Sequence, residues 1–364
     1  MEDVVKHHPN YPVRPPLSAV PILLNDLTTD ELHAQLAPLG VPVELTRQIQ
    51  KAALATGQVP ETIRGQWSRR LAVVRQAAAV PRLRLVERAV SADDGFAKYL
   101  FEGPGPERFE AVRIPLLHRP EDPKYIVCVS SQVGCPLGCV FCATGRMGFR
   151  RNLETWEIVD QVVQIRDDSA HPVRGVVFMG MGEPMLNYDR VIRAARILSE
   201  PCGLAIPGKS ITLSTAGIVP GIRRFTAERP PFRLIVSLNA AEPERRRALM
   251  PVEATYPLTE LMDAVRDYHA ATGRRVTLAW TMIAGQNTRA DDARALARLT
   301  AGLPIQLDLI DVNDPTGRFR PPSDAERNTF HDSLTAELGM PVARRYSGGG
   351  TIHAACGMLV GGRR

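Results

Sequence analysis

The sequence predicts an α/β fold, a partial (β/α)6 barrel preceded by a small helical N-terminal domain. From residue 125 onward, short apolar runs alternate with amphipathic helical segments, which is the pattern of serial βα units around a parallel sheet. Between residues 21 and 80 the apolar residues instead recur at helical spacing. Periodicity alone leaves a flatter, doubly wound sheet as an alternative. In either arrangement the ligand site lies at the carboxyl ends of the strands.

The chain divides into five predicted segments: a proline-rich arm (1–20), a helical domain (21–80), a β-rich connector (81–124), the barrel (125–345) and a C-terminal tail (346–364). In the helical domain, Thr29 or Asp30 can cap a helix. The connector contains RLRLVERAV, FAKYLFE and FEAVRIPLL, which alternate like short antiparallel strands. Six barrel strands are predicted: YIVCVSS (125–131), GVVFMG (175–180), SITLSTA (210–216), FRLIVSL (232–238), VTLAWTMI (276–283) and IQLDLIDV (305–312).

The composition of the 364-residue chain, with 44% hydrophobic and 23% charged residues, is that of a globular protein with a large core. No stretch is apolar enough to span a membrane, and the N-terminus lacks the apolar segment of a secretory signal. We therefore expect a cytoplasmic protein with no membrane partner. The formal net charge of +6 favours a nucleic-acid partner. Arginines cluster at 146–151, 245–247 and 344–345, and each cluster is either a solvated surface or an RNA contact.

Four of the six cysteines lie between residues 128 and 142. In a compartment that keeps thiols reduced, this clustering favours metal binding or catalysis over disulfides. Three of them form the pattern Cys135-x3-Cys139-x2-Cys142 directly after the first barrel strand. A structural zinc site needs four protein ligands, and no second cysteine or histidine pair completes one here. Three thiolates on one loop match a [4Fe–4S] cluster whose fourth iron is open to a ligand.

This motif on the first βα loop resembles that of the radical S-adenosylmethionine (radical SAM) enzymes. The resemblance implies that Cys135, Cys139 and Cys142 hold a [4Fe–4S] cluster. It also implies that S-adenosylmethionine binds the open iron and yields a 5′-deoxyadenosyl radical on one-electron reduction. The stretch FMGMGEPMLN follows the second barrel strand, where Gly182 and Glu183 would meet the ammonium group of S-adenosylmethionine. A GxGE sequence alone is a weak signal, because glycines often end strands.

Six stretches together resemble the RlmN/Cfr family of radical SAM adenine methyltransferases, which act on ribosomal and transfer RNA. They are CVSSQVGC (128–135), FCATG…GFRRNL (141–153), MGMGEPMLN (179–187), TLSTAGIVP (212–220), VSLNA (236–240) and AACGML (354–359). Their order and spacing extend the resemblance over roughly residues 110–360. The resemblance implies methylation of a ring carbon of adenosine, C2 in preference to C8, in rRNA or tRNA.

The resemblance also implies roles for residues outside the cluster loop, the segment from Cys135 to Cys142. Cys356 would receive a methyl group from one S-adenosylmethionine, and a radical made from a second would abstract hydrogen from that methyl group. The resulting carbon radical would add to adenine. Cys128 would then release the methylated RNA and form a transient disulfide with Cys356, while Glu110 would accept a proton. Further contacts to S-adenosylmethionine are expected from Ser214, Ser237, Leu238, Asn239 and Asn313.

The chain departs from the family pattern at three places. The family commonly has histidine at the position of Asn239, and its CGQL sequence is here CGML, with Met358 in third place. The acidic GDDI-like segment before the cysteine is replaced by GGGTIH (348–353), which predicts a more mobile tail. These departures leave the chemistry as expected and affect the choice of RNA.

Two other functions fit part of the sequence. A methylase of a peptide or small natural product would keep both cofactors and change the substrate. A non-enzymatic iron–sulfur or zinc protein would have no use for Cys128 and Cys356. The basic clusters and the helical domain favour RNA. We further expect a monomer and an electron donor such as flavodoxin or ferredoxin, and we interpret Cys202 as either structural or incidental.

Overall fold

The N-terminal part of the chain forms a small helical unit. The computed structural model describes residues 20–65, 67–116 and 121–362, so the predicted arm lies outside the described residues except for its last position. The unit consists of β1 (Ile22–Leu23), α1 (Thr29–Leu36), α2 (Val43–Thr56), α3 (Ser68–Ala77) and β2 (Ala78–Ala79). Strands β1 and β2 pair in parallel and bring the two ends of the unit together.

Helix α1 begins with a capping box. The Thr28 side chain accepts a hydrogen bond from the Glu31 N–H, and the Glu31 carboxylate accepts one from the Thr28 N–H. The cap is therefore Thr28, one residue before the predicted Thr29, because the side chain three residues after Thr28 is the one that can close the box. A separate apolar cluster fills this unit and consists of the buried residues Leu24, Leu32, Leu36, Val41, Leu45, Ile49, Ala53, Leu71 and Val74.

The predicted connector supplies three antiparallel strands, β3 (Arg84–Val90), β4 (Ala97–Glu102) and β5 (Arg108–Pro115). They do not form a sheet of their own. Strand β5 pairs antiparallel with β6 (Tyr125–Cys128), so the connector continues the barrel sheet at one edge. The division of the chain into domains at these boundaries stays a proposal.

The barrel sheet contains all six predicted strands and a seventh parallel strand at residues 343–345. After β6, the short antiparallel pair β7 (Gln132–Gly134) and β8 (Phe149–Asn152) encloses the cluster loop. The parallel strands that follow are β9 (Val173–Phe178), β10 (Ile211–Thr215), β11 (Arg233–Ser237), β12 (Val276–Met282), β13 (Ile305–Asp311) and β14 (Ala343–Arg345). The ten-stranded sheet has the order β14-β13-β12-β11-β10-β9-β6-β5-β4-β3. Strand β14 has only three residues, too few to show a strand pattern in the sequence.

Helices cover the outer face of this sheet. The helices of the barrel segment are α4 (Ala143–Met147), α5 (Thr155–Asp167), α6 (Tyr188–Ser199), α7 (Val219–Glu228), α8 (Pro243–Leu249), α9 (Leu258–Thr272), α10 (Ala290–Leu299) and α11 (Asp324–Leu338). Helix α4 is not part of the outer layer, because it lies between β7 and β8 and its Thr144 lines the cavity described below. One apolar core runs between helices and sheet, since parallel strands buried on both faces are rich in Val, Ile and Leu. Side chains from β5 to β13 line one common cavity, so the sheet curls around it as a partial barrel instead of lying flat. No helix among the described residues has the length and apolar character needed to cross a membrane.

Candidate active site

A cavity of about 610 Å³ opens where the parallel strands end. This is where a parallel α/β sheet places its ligands, because the loops after the strands converge there. The cavity wall includes five of the six cysteines: Cys128, Cys135, Cys139, Cys142 and Cys356. Cysteines separated by more than two hundred residues in sequence thus face one space.

The cluster loop runs from Cys135 to Cys142. Its turn is closed by the Cys142 N–H, which donates to the Cys139 carbonyl at 3.1 Å, and the Val140 N–H binds the Leu249 carbonyl at 3.1 Å. Burial raises the pKa of the Cys135 thiol to about 12 and also raises that of Cys139. A bound metal would stabilise the thiolate form of these cysteines, and this effect is largest where burial otherwise disfavours the charged form.

The three thiols of this loop fit a cluster better than a single ion. Within the described residues, no three His, Cys, Asp or Glu side chains converge as ligands of one metal ion. A [4Fe–4S] cluster makes a different demand, because each thiolate binds a separate iron atom. All six cysteines are free, so the soft donors of Cys135, Cys139 and Cys142 are available to iron.

The GxGE loop after β9 packs against the residues before the cluster loop. Gly182 has φ +100°, and a Cβ there would lie 2.5 Å from the Gln132 Cβ, so only glycine fits. The buried Glu183 carboxylate accepts hydrogen bonds from the Met185 N–H (3.0 Å) and the Ala216 N–H (2.8 Å). Burial nevertheless raises the pKa of Glu183 to about 7. A cationic ligand in the cavity would favour its ionised form.

The other residues expected to contact S-adenosylmethionine differ in where they point. Ser214 and Ser237 both line the cavity, with their Oγ atoms 3.4 Å apart. Leu238 is fully buried and does not line the cavity, although its neighbours Ser237 and Asn239 do.

Asn239 lines the cavity but uses its side chain internally. Its Oδ1 accepts a hydrogen bond from the Thr281 N–H at 2.7 Å, and its Nδ2 contacts the Met250 sulfur at 3.1 Å. The residue has φ +61°, a left-handed conformation that asparagine tolerates better than most residues. The left-handed backbone therefore gives a physical reason for asparagine at position 239, which the sequence motifs alone did not show.

The tail that carries Cys356 is bound to several elements. The Cys356 N–H donates to Ser347 Oγ (3.2 Å), and Asn313 Nδ2 donates to the same Oγ (3.0 Å) and to the Cys356 carbonyl (3.4 Å). The Gly357 carbonyl accepts from the Ala143 N–H at 2.7 Å. These contacts attach the tail to the loop after β13 and to α4, and the greater mobility expected from GGGTIH stays a prediction.

Electrostatics link Cys356 to both groups of cysteines. Its side chain is exposed to the cavity, but the surrounding walls desolvate the thiol and raise its pKa to about 11, with a smaller contribution from Cys142. Cys128 is buried, and burial followed by the nearby Cys356 raises its pKa to about 12. Cys356 therefore shares the cavity wall with both Cys142 and Cys128 and is close enough to interact electrostatically with each of them. The predicted disulfide between Cys128 and Cys356 is absent from this state and stays a prediction.

Glu110 lies outside the cavity wall and binds the tail. It is 1% exposed, and its Oε2 accepts hydrogen bonds from the Val360 N–H (2.7 Å) and the Gly361 N–H (3.1 Å). Its Oε1 forms an ion pair with Lys98 Nζ at 3.1 Å. The proton-accepting role expected from the family stays a prediction, and the tail contact is a role that the sequence did not indicate.

The arginines of the three clusters differ in burial and in ion pairing. Arg246 is fully buried and pairs with Glu253 at 2.5 Å, so it is neither a solvated residue nor an RNA contact. Arg146 pairs with Asp314 at 2.9 Å, and Arg344 and Arg345 pair with Asp311 and Asp308. Arg150 and Arg247 are exposed.

Cys202 lies away from the cavity, between the helical unit and the barrel. Its sulfur is 2.9 Å from Thr29 Oγ1, which also donates to Glu200 Oε2 at 2.5 Å. This polar contact joins α1 to the end of α6, in agreement with a structural role.

Comparison with known proteins gives concordant matches. The sequence model of the radical SAM superfamily matches residues 129–297. A probable RNA methyltransferase of Myxococcus xanthus (strain DK1622) is 50% identical over 340 residues, covering 92% of this chain and 93% of the relative. The dual-specificity RNA methyltransferase RlmN of Syntrophobacter fumaroxidans is 41% identical over 344 residues, covering 93% of this chain and 98% of the relative. The crystal structure of a radical SAM methyltransferase from Sphaerobacter thermophilus superposes with a TM-score of 0.85 at 38% identity, covering 94% of this chain and 100% of that one.

Proposed function

Because the chain belongs to the RlmN type of radical SAM RNA methyltransferases, we propose that it methylates a ring carbon of adenosine in rRNA, tRNA or both, C2 in preference to C8. The observation that carries the proposal is the common cavity, which brings Cys128 and Cys356 to the cluster loop. The RNA methyltransferases among the relatives favour RNA over the peptide or natural-product substrate of the alternative hypothesis.

The cofactors of this radical SAM enzyme are a [4Fe–4S] cluster and S-adenosylmethionine. When bound, they supply the methyl group and the one-electron chemistry that an unreactive aromatic C–H bond requires. In the proposal Cys135, Cys139 and Cys142 hold the cluster. Gly182, Glu183, Ser214, Ser237, Asn239 and Asn313 form the wall that orients S-adenosylmethionine, and Leu238 supports this wall from behind, between Ser237 and Asn239.

Within this proposal Cys356 carries the methyl group to the RNA. An adenine ring carbon is a poor nucleophile, so direct displacement on a sulfonium is slow. A methyl group tethered to the protein and held beside the base gains proximity instead. The hydrogen bonds of Ser347 and Asn313 to the Cys356 backbone supply that positioning.

Cys128 is proposed to resolve the covalent protein–RNA adduct. Its place at the end of β6, in the wall of the same cavity as Cys356, supports an attack of one sulfur on the other. The products would be released RNA and a Cys128–Cys356 disulfide, which an outside reductant must reopen. The proposal further includes a monomeric enzyme, a cytoplasmic location with its RNA, and an electron donor such as flavodoxin or ferredoxin.

Mass spectrometry of nucleosides from a strain lacking this protein tests the proposal. We expect loss of 2-methyladenosine from fractionated rRNA or tRNA, and its return when the wild-type gene is supplied. The fraction that loses the nucleoside identifies the RNA. Loss of 8-methyladenosine alone would correct the position of methylation, and an unchanged nucleoside profile in both fractions would overturn the proposed substrate.

A further inference from the structure

Tyr346 is the most exposed aromatic side chain at the cavity mouth. The residue directly follows β14, lines the cavity, and is 66% exposed. No motif in the sequence assigns a role to Tyr346, and its ring packs against Phe96, which is not among the proposed cofactor-binding residues. A large ring left open at the entrance of a ligand cavity is a candidate contact for whatever enters.

The Tyr346 ring is fixed from one side. Its hydroxyl donates a hydrogen bond to Asp94 Oδ2 at 3.0 Å, and its ring meets the Phe96 ring edge-on, with centroids 6.1 Å apart and an interplanar angle of 72°. The same Asp94 oxygen accepts a hydrogen bond from the Gly349 N–H at 2.8 Å. The hydroxyl, the ring edge and the following backbone are therefore all held against the β3–β4 turn.

Gly348 makes this arrangement possible. A Cβ at this position would lie 2.6 Å from Tyr346 Cε1 and would also overlap the Phe96 ring. The glycines of GGGTIH therefore allow the chain to fold closely around the aromatic pair. The segment that sets this chain apart from the acidic family pattern is thus the one that fixes Tyr346 at the cavity mouth.

Arg344 adds a positive charge to the same wall of the cavity, because it precedes Tyr346 by two residues at the end of β14 and also lines the cavity. Its side chain is 53% exposed and donates Nη2 to Asp311 Oδ2 at 2.9 Å, which leaves other guanidinium N–H groups facing solvent. Asp311 is shared with Arg327, whose Nε lies 3.3 Å from Oδ1. A planar ring with an adjacent guanidinium matches single-stranded RNA, in which an unstacked base and its phosphate are recognised together.

We propose that Tyr346 is a stacking platform for a nucleobase of the RNA substrate at the cavity mouth, with Arg344 contacting the neighbouring phosphate. The inference rests on the proposed function, since it presumes an RNA substrate. The exposure of the ring at the rim favours the incoming RNA over the adenine of S-adenosylmethionine, which belongs beside the cluster loop. Aromatic contact of this kind lets a base leave its RNA helix at a lower cost.

Three variants of Tyr346 test the platform. Base stacking on an aromatic ring is commonly strong enough that its removal weakens binding about 5- to 150-fold. We expect Tyr346→Ala and Tyr346→Leu to raise the KM for RNA from the deletion strain within that range. Tyr346→Phe keeps the ring and loses only the hydroxyl bond to Asp94, so its KM should stay within about twofold of wild type.

Methylation of Cys356 by S-adenosylmethionine alone is the second readout, and it should be unchanged in all three variants. A Leu variant with wild-type KM for RNA would overturn stacking in favour of simple apolar contact. If the Ala variant raises the KM for S-adenosylmethionine and not for RNA, the ring contacts the cofactor and not the RNA, and the proposal is overturned. Failure of the proposed function would be seen in the wild-type protein itself, as a complete lack of RNA methylation, and is therefore distinguishable from failure of the stacking proposal.

Discussion

The cluster loop and the C-terminal tail bring cysteines into one cavity, but different interactions hold them there. The loop closes on itself through the Cys142–Cys139 backbone bond and lies between β7 and β8. Up to residue 362, where the described part of the tail ends, no strand or α-helix follows β14, and side chains of distant elements such as Asn313 and Glu110 hold this segment. Local geometry therefore defines the loop, whereas tertiary contacts define the position of Cys356.

The largest effect is expected where the loop is broken. Cys139→Ala removes one of the proposed cluster ligands, so anaerobically reconstituted protein should lose nearly all of its [4Fe–4S] absorption and bound iron. Cys356→Ala is the matched control from the tail and should keep the full iron content. Equal iron loss in both variants would mean that the two segments are not separate in function, and retention of the cluster by Cys139→Ala would contradict its role as a ligand.

Cys128→Ala should stop turnover at the covalent stage. Without the resolving thiol, the adduct between Cys356 and RNA has no partner to release it, so a slow-migrating protein–RNA species should accumulate on denaturing gels. Cys202→Ala is the control, because that thiol contacts Thr29 away from the cavity. An uncrosslinked Cys128→Ala variant with wild-type turnover would refute the resolving role.

The support beneath the loop is a buried ion pair. Arg246, on α8, forms an ion pair with Glu253 at 2.5 Å and donates a hydrogen bond to the Ala216 carbonyl at 2.7 Å. The last residue of α8, Leu249, accepts a hydrogen bond from the Val140 N–H of the cluster loop. Arg246→Met leaves a buried carboxylate unpaired, which should lower the free energy of unfolding by about 3–5 kcal/mol. Arg247→Met, one residue on and exposed, should change it by less than about 0.5 kcal/mol. Urea unfolding of both variants measures the difference, and equal stabilities would contradict the buried pairing.

A smaller effect is expected at the anchor of the tail. Glu110→Gln weakens the hydrogen bonds to Val360 and Gly361 and leaves Lys98 without its ion pair, which should cost about 1–3 kcal/mol locally. Hydrogen exchange at residues 360–361 should become faster by about tenfold or more. Glu102→Gln is the control, since its ion pairs with Arg84 and Arg108 lie at the surface.

The same variant separates two roles for Glu110. If the residue mainly anchors the tail, lost activity should accompany faster exchange at residues 360–361. If activity is lost while these amides stay protected, Glu110 acts as the proton acceptor that the family resemblance implies, and the anchor is secondary.

The sequence predicted the features that depend on local pattern. All six barrel strands and the three connector strands were found from apolar runs and alternation, and the loop cysteines from their spacing. The joining of the connector to the barrel sheet was not predicted, because the pairing of β5 with β6 is not encoded within either strand. Contacts such as Ser347 with Cys356, or Arg246 with Glu253, depend on packing that no motif records.

Mass spectrometry of the purified wild-type protein tests most directly whether Cys356 carries the methyl group. After incubation with S-adenosylmethionine and a one-electron reductant but no RNA, we predict that the peptide containing Cys356 gains the mass of one CH2 group. Peptides containing Cys128 and Cys202 should not change. A protein that methylates RNA while Cys356 stays unmodified, or a Cys356→Ala variant with full activity, would contradict this role.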